Sequence, residues 1–210
     1  EGTTLINNYA FYGITSIRTI TLPKSIEDIG EDAFGGLPNL ECVNYLGTIE
    51  SWCKINFISE LSNPNNCAKK FLINNEEIID LVIPESVEKI NFYAFLNVKS
   101  IQTIKIPDTI KIIETCAFKR CSSVTSITIP FIGRSINESN YLKILFDSNE
   151  KLNSLKEVIV TKCEDIPSYC FRNCQSLEKV KLPSNLKKIG SYAFIDCTSL
   201  QELVIPENVT

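Results

Sequence analysis

The chain has 210 residues, of which 44% are hydrophobic and 22% are charged, and its formal net charge at pH 7 is −4. Nucleic-acid-binding proteins normally carry a basic surface, so this acidic balance gives no support for a nucleic-acid partner. The chain has no histidine, which excludes Ser-His-Asp and Cys-His catalytic sites and every zinc site that uses an imidazole. No apolar run approaches the roughly 18 residues of a membrane-spanning helix, so we expect no direct membrane insertion in this segment.

The sequence repeats itself with a period of 23 residues. An Ala-Phe pair and a pair made of an apolar residue and proline both keep this period, since 33 − 10, 117 − 94 and 107 − 84 all equal 23. The Ala-Phe pairs are Ala10-Phe11, Ala33-Phe34, Ala94-Phe95, Ala117-Phe118 and Ala193-Phe194, with Cys170-Phe171 as a variant. The apolar-proline pairs are Leu22-Pro23, Ile83-Pro84, Ile106-Pro107, Ile129-Pro130, Leu182-Pro183 and Ile205-Pro206. A unit of this length cannot bury its apolar residues alone, so neighbouring units must stack and share a core.

One unit, residues 101–123, shows how each turn is built. Ile104 and Ile106 alternate with Lys105, as in a strand with one buried face. Pro107 ends the strand because proline has no N–H to donate to a neighbouring strand. Each unit therefore begins with a short strand and then turns about three times before the next strand starts.

Stacked units place equivalent side chains in ladders along the axis of the array. We expect one inward ladder of Leu22, Ile83, Ile106, Ile129, Val160, Leu182 and Ile205. We expect a second ladder of Phe11, Phe34, Phe95, Phe118, Phe171 and Phe194. Gly30 and Gly190 follow the second apolar pair of their units, where we expect a turn that favours glycine.

Two stretches interrupt the period. The first irregular unit, at about residues 46–78, lengthens one period by more than half, since 84 − 46 = 38, or 23 + 15. The second irregular unit, at about residues 131–155, lengthens it less, since 161 − 130 = 31, or 23 + 8, and it lacks an Ala-Phe pair. Insertions into repeat arrays form loops on one face, often the face that meets a partner. Trp52, the only tryptophan, lies in the first irregular unit, where it is a candidate contact for a partner or else a core side chain.

The nine cysteines suggest neither a metal site nor a redox site. Five of them occupy unit positions that are mostly apolar in other units, as small buried side chains would: Cys121, Cys163, Cys170, Cys174 and Cys197. An odd total leaves at least one thiol unpaired within the chain. Cys53 and Cys67 both lie in the first irregular unit, and whether they pair stays open. No Cys-x-x-Cys motif is present, so we expect no metal and no cofactor.

The outward positions of the predicted strands form what we call the sheet face. Its candidate protein-binding residues are Thr19, Thr21, Asp80, Thr103, Lys105, Ser126, Thr128, Glu157, Lys179, Lys181 and Glu202. Threonines and single charges on a flat sheet are typical of an extended protein-binding surface, although they are also typical of a solvated sheet with no partner. Acidic residues are plentiful, but nothing in the sequence places two of them around a cleft, and we expect no catalytic residues.

These repeats resemble the BspA-like leucine-rich repeat family, whose unit reads roughly L-x-x-I-x-I-P-x-x-V-x-x-I-G-x-x-A-F-x-x-C. The match is nearly complete from Ser176-Leu177 through Leu182-Pro183 and Ile189-Gly190 to Ala193-Phe194 and Cys197. The resemblance covers almost the whole chain. It implies a β-rich leucine-rich-repeat solenoid, a right-handed superhelix with a parallel β-sheet, about 23 residues per turn, about eight turns and few short helical turns.

The same resemblance implies a cell-surface or secreted protein that binds other proteins. The expected partner is a host or matrix protein, or a neighbouring surface protein, and no enzymatic activity is expected. We further expect residues 1–210 to form a single solenoid that is a fragment of a longer array. The alternative function is a structural spacer that carries other domains of a large surface protein.

Overall fold

The computed structural model describes residues 2–135, 141–147 and 152–210, and within them the chain consists mainly of short strands. The strands are Leu5–Ile6 (β1), Thr19–Leu22 (β2), Asp28–Ile29 (β3), Cys42–Tyr45 (β4), Asn56–Phe57 (β5), Lys70–Ile73 (β6), Glu76–Glu77 (β7), Asp80–Val82 (β8), Lys89–Ile90 (β9), Thr103–Lys105 (β10), Ile112–Ile113 (β11), Ser126–Ile129 (β12), Glu157–Val160 (β13), Asp165–Ile166 (β14), Lys179–Lys181 (β15), Lys188–Ile189 (β16) and Glu202–Leu203 (β17). The helical segments are the α-helix Ile49–Lys54 (α1) and the 3₁₀ turns Glu60–Ser62, Pro64–Asn66 and Leu142–Leu145. Short strands with few helical turns confirm the predicted β-rich solenoid.

The first strand of each unit pairs with the same strand of the next unit. One parallel sheet has the order β8-β10-β12-β13-β15-β17, and a second sheet has the order β2-β4-β6-β7. In the regular part Leu81 pairs with Ile104 and Ile104 with Ile127, so 104 − 81 and 127 − 104 both give the 23-residue period. The second apolar pairs form three smaller sheets, β1-β3-β5, β9-β11 and β14-β16. Stacking in register therefore joins the backbone groups of paired strands by hydrogen bonds between neighbouring units.

A single hydrophobic cluster runs through the stacked units from Ile6 to Ala193. The aliphatic ladder is buried from Leu22 to Val160, whereas Leu182 is half-buried and Ile205 is 48% exposed. The predicted phenylalanine ladder is wrong as one continuous stack. Its rings stack in pairs: Phe11–Phe34 at 5.3 Å, Phe95–Phe118 at 5.7 Å and Phe171–Phe194 at 5.0 Å between ring centroids. Each break in the stack falls at an irregular unit, where other side chains fill the core.

The expected reason for glycine at positions 30 and 190, a turn that favours glycine, is also wrong. Neither glycine has a positive φ, so neither is required by a left-handed turn. A Cβ at Gly190 would lie 2.4 Å from the backbone nitrogen of Ser168, and one at Gly30 would lie 2.5 Å from that of Asn8. Glycine stands at these positions because successive turns approach each other too closely for a side chain.

Candidate protein-binding face

The structure places the expected sheet-face residues on the outward side of the two parallel sheets. Thr103, Ser126, Thr128 and Glu157 are half-buried on the central strands, and the other sheet-face residues are exposed. One column runs in register through the six-stranded sheet: Asp80, Thr103, Ser126, Glu157, Lys179 and Glu202. Thr19 and Thr21 lie on β2 in the other sheet. The sheet face is therefore two patches rather than one uninterrupted surface.

The charges of the larger patch partly compensate one another. Lys181 Nζ lies 3.3 Å from Glu157 Oε1, and the Thr103 hydroxyl donates to Asp80 Oδ1 at 2.6 Å. A cleft of about 530 Å³ at the end of this patch is lined in part by Lys179, Lys181 and Glu202. The face therefore offers both positive and negative groups on a rigid sheet, an arrangement suited to a charged protein surface.

The first irregular unit divides the sheet. Phe71 of β6 pairs with Val43 of β4, so this turn exceeds the regular period by five, since 71 − 43 = 28. Leu81 of β8 follows Phe71 too closely for another turn of the solenoid, since 81 − 71 is only 10. The insertion thus consists of an enlarged turn and a hairpin. After β6 the chain reverses direction, and β6 pairs antiparallel with β7 instead of pairing with β8.

Asparagines hold the hairpin in place. Asn74 and Asn75 have φ values of 51° and 68°, as required at both central positions of a type I′ turn between antiparallel strands. The Asn75 N–H donates to Asn44 Oδ1 at 3.0 Å, and Asn44 Nδ2 donates to Asn75 Oδ1 at 2.8 Å. Asn74 Nδ2 donates to the carbonyl of Gly47 at 2.8 Å. The hairpin is a specified element of the sequence, because each turn residue has a dedicated partner.

Trp52 does not contact a partner in this conformation, because its side chain is 0% exposed. It lies on α1 and packs against the rings of Tyr45, Phe57 and Phe71, at centroid distances of 4.9, 5.4 and 4.6 Å. Its indole N–H donates to the carbonyl of Ala94 at 2.6 Å, so its one polar atom is satisfied inside the core. The expectation of a binding contact is corrected: Trp52 fills the core of the enlarged turn.

The second irregular unit leaves the sheet intact. Its described residues are 131–135, 141–147 and 152–155, and the remainder of this unit lies outside the described part of the chain. Ile127 of β12 pairs with Val158 of β13, so the whole lengthened spacing, 158 − 127 = 31, lies between two paired strands. Phe146 is 1% exposed and lies 5.9 Å from Phe118 between ring centroids. The missing Ala-Phe pair is therefore replaced by Leu145-Phe146, and the Phe118 N–H donates to the carbonyl of Leu145 at 2.8 Å.

A buried carboxylate fastens this second unit to its neighbours. Glu114 is 5% exposed and accepts from Arg134 through Nε at 3.1 Å and through NH2 at 2.6 Å. Lys89 Nζ lies 3.0 Å from the other oxygen of Glu114. A buried carboxylate needs such partners, since removing one of them would leave charge poorly compensated.

A further ion-pair group joins the two irregular units to each other. Lys119 Nζ lies 2.7 Å from Glu60 Oε2 in the first unit and 3.1 Å from Asp147 Oδ2 in the second. Arg120 lies 2.9 Å from Glu60 and donates to Asn66 Oδ1 at 2.7 Å. Burial favours the neutral amine of Lys119, but the hydrogen bonds to Glu60 and Asp147 outweigh it and raise the pKa above its usual range. Residues that the sequence separates widely thus lie on one surface.

All nine cysteines are free thiols, and Cys53 and Cys67 do not form a disulfide. Three thiols donate to the carbonyl of a ladder phenylalanine in the unit before: Cys67 to Phe34 at 3.7 Å, Cys121 to Phe95 at 3.0 Å and Cys197 to Phe171 at 3.1 Å. Desolvation raises the pKa of Cys163 to about 11 and that of Cys174 to about 12. These two thiols are therefore poor nucleophiles at neutral pH. The sequence missed the position of Cys67, because the enlarged turn shifts it out of the 23-residue period.

The described clefts do not assemble a catalytic constellation. A cleft of about 440 Å³ beside the second irregular unit has one carboxylate in its lining, Asp108, and Asp108 Oδ1 already accepts from the Thr161 hydroxyl at 2.5 Å. Within residues 2–135, 141–147 and 152–210, no group of three or more histidine, cysteine or acidic side chains is placed to hold a metal ion. No helix in the described ranges is long and apolar enough to cross a membrane.

Stacked parallel strands, an aliphatic ladder and a 23-residue turn define a leucine-rich-repeat solenoid. The chain belongs to the BspA-type leucine-rich repeat family, whose model matches residues 1–69, 67–156 and 143–210 with six copies of the repeat. This confirms the resemblance found in the sequence. No curated protein is significantly similar to the chain in sequence.

Two solved structures of leucine-rich repeat proteins are similar to the chain. A leucine-rich cell surface protein from Faecalibacterium prausnitzii A2-165 is 23% identical with a TM-score of 0.52, and the match covers 96% of this chain and 57% of that one. The chain thus spans less than two thirds of that relative. A leucine-rich repeat protein from Eubacterium ventriosum ATCC 27560 is 15% identical with a TM-score of 0.47, and the match covers 98% of this chain and 77% of that one. At 23% identity, the likeness to the Faecalibacterium prausnitzii protein concerns the fold alone.

Proposed function

We propose that the chain is a protein-binding module displayed at a cell surface or secreted, and that it binds a host, matrix or neighbouring surface protein. The observation that carries the proposal is the in-register column of exposed and half-buried polar side chains from Asp80 to Glu202. A rigid sheet presents these groups without the entropy cost of ordering loops. The repeat family and the cell-surface description of the Faecalibacterium prausnitzii relative support the proposal.

The larger patch of the sheet face is the proposed contact. It presents both lysines and acids, so a partner with complementary charges would gain specificity and association rate from it. We propose no catalytic role, because the side chains that line the described clefts do not form a recognisable catalytic site.

The test is a binding screen of extracellular matrix and surface proteins against the immobilised chain, followed by a matched pair of variants. Lys179→Glu reverses a charge on β15 in the sheet face, and Lys188→Glu makes the same change on β16, outside that face; both lysines are exposed. We expect a binder whose affinity falls about tenfold with Lys179→Glu and is unchanged with Lys188→Glu. If no protein binds saturably, the spacer function replaces this proposal.

A further inference from the structure

Strand β8 has an unpaired edge in the interior of the array. Among the described strands β8 pairs with β10 alone, and β6, which precedes it, pairs with β4 and with β7. β2 and β17 are the outermost strands of these two sheets among the described residues, whereas β8 has described units on both sides. The hairpin of the first irregular unit is the reason, because it removes β6 from its expected pairing with β8.

The free edge presents the backbone groups of Asp80 and Val82. The Ile83 N–H donates to the carbonyl of Lys105, and the carbonyl of Ile79 accepts from the N–H of Gln102. Successive residues of a strand direct their N–H and C=O groups to opposite sides, so the residues that bond to β10 are 79, 81 and 83. The N–H and C=O groups of Asp80 and Val82 therefore point away from β10.

The exposure of Val82 agrees with an open edge. Val82 is 52% exposed. Ile159 occupies the same column but has a paired strand on each side, and its side chain is half-buried. The side chain at Val82 is thus less covered than an apolar side chain of this column with two neighbouring strands.

The surroundings of this edge carry a small excess of acidic groups. Glu76, Glu77 and Asp80 are all exposed. Two cations lie near them: Lys70 Nζ is 3.1 Å from Glu77 Oε2, and the exposed Lys105 is in register with Val82 on β10. An extended segment that carries lysine or arginine would meet complementary charge here, whereas an acidic segment would be repelled.

We propose that the free edge of β8 is a docking site for an extended basic peptide segment of a partner protein, which adds a strand to the six-stranded sheet. Backbone hydrogen bonds to Asp80 and Val82 would give affinity, and the acidic side chains would select a basic sequence. The proposal rests on the proposed protein-binding function and deepens it. It shares Asp80 with the sheet face, but it depends on the backbone of the β8 edge, so Val82→Pro and Lys179→Glu distinguish the failure of one from the failure of the other.

The probe is a fluorescently labelled peptide of about seven residues in which lysine and valine alternate, a length typical of a strand. Its binding to the intact chain is measured by fluorescence anisotropy at low and at physiological salt. Val82→Pro removes the N–H of the free edge while leaving the bonds to β10, since proline is tolerated where the N–H faces out of a sheet. We expect affinity to fall by at least about tenfold with Val82→Pro.

One protein variant and one altered peptide serve as controls. Val82→Thr keeps the N–H and nearly the same side-chain shape, and it should bind as the unmodified chain does. A peptide with alternate backbone amides N-methylated should bind at least about tenfold more weakly to the unmodified chain, a test that does not depend on the folding of any variant.

Failure of the unmodified chain to bind the basic peptide saturably would overturn the proposal, as would equal binding by Val82→Pro or by the N-methylated peptide. Loss of peptide binding in Lys179→Glu as well as in Val82→Pro would place the peptide on the sheet face instead. Because the screen of the proposed function uses whole proteins and the sheet-face variant, its outcome is independent of this one.

Discussion

The two irregular units accommodate their inserted residues in different ways. The first has the longer insertion and divides the parallel sheet, because its hairpin pairs β6 with β7 instead of with β8. The second has the shorter insertion and leaves β12 paired with β13 across it. A stacked array thus tolerates extra residues in its turns without cost to the sheet, whereas a second strand within one turn ends the sheet and opens an edge.

The two units also restore the core differently. The first supplies Trp52 from an α-helix, and the second supplies Phe146 from the end of a 3₁₀ turn. Both side chains are buried. Phe146 packs against Phe118 of the phenylalanine ladder, whereas Trp52 packs against the rings of Tyr45, Phe57 and Phe71. The comparison shows that the array depends on a filled interior more than on a fixed residue at each position.

Removing Trp52 should cause the largest loss of stability. Trp52→Ala leaves a cavity beneath α1 and removes one of the two side-chain hydrogen bonds to the carbonyl of Ala94, so we expect the free energy of unfolding to fall by about 3–5 kcal/mol. Urea unfolding followed by circular dichroism measures it. Tyr141→Ala in the second irregular unit is the control, because Tyr141 is 45% exposed and its loss should cost less than about 1 kcal/mol. Equal losses in the two variants would show that Trp52 is not a core side chain.

Removing Arg134, one of the two cations that pair with the buried Glu114, should lower the stability less than removing Trp52 does. Arg134→Met leaves Glu114 with Lys89 as its remaining cation, and we expect a loss of about 2–3 kcal/mol. The double variant Arg134→Met, Glu114→Gln removes the uncompensated charge and should recover part of this loss. Urea unfolding of both proteins measures the difference, and a double variant that is less stable than the single one would contradict the assignment.

Breaking the link between the two units should have a smaller effect again. Lys119→Met removes the cation between Glu60 and Asp147, which lie in different irregular units, and we expect a loss of about 1–2 kcal/mol. Lys111→Met is the matched control, because Lys111 forms an ion pair with Glu88 but is 66% exposed; its loss should be within about 0.5 kcal/mol. If the two variants are equally stable, Lys119 does not connect the units.

The smallest effect concerns thiol reactivity within the first irregular unit and leaves stability unchanged. Cys53 is buried, and desolvation raises its pKa, whereas Cys67 is half-buried. Alkylation at pH 8 followed by peptide mass spectrometry should therefore modify Cys67 well before Cys53. In denaturant the two should react at similar rates. Faster modification of Cys53 in the folded protein would contradict the burial of α1 against the core.

Much of the fold follows from the period of the sequence, and the exceptions have physical causes. The alternation around Lys105 and the proline at 107 predict the strand and its end, because both depend on local chemistry. The hairpin at Asn74 and Asn75 was not predicted, since the length of the insertion does not reveal how it divides between a turn and a hairpin. Burial of Trp52 depends on contacts with aromatic rings of other segments that the period does not reveal.

The candidate site was predictable in part. The alternation of apolar and polar residues along a strand identifies the outward positions, so the residues of the sheet face could be predicted from the sequence. The division of that face and the free edge of β8 depend on which strands pair, which a one-dimensional pattern does not contain. The link through Lys119 was likewise hidden, because Glu60 and Asp147 are distant in sequence and lie in the two units that depart from the repeat.

Residue-resolved amide hydrogen exchange, measured by nuclear magnetic resonance on the folded chain, tests the difference between the two units most directly. We predict that the amide of Val82 exchanges rapidly while those of Leu81 and Ile83 are protected, and that protection continues without interruption from β12 to β13. Protection of Val82 equal to that of its neighbours, or rapid exchange throughout β13, would contradict a sheet that is divided at the first irregular unit and continuous across the second.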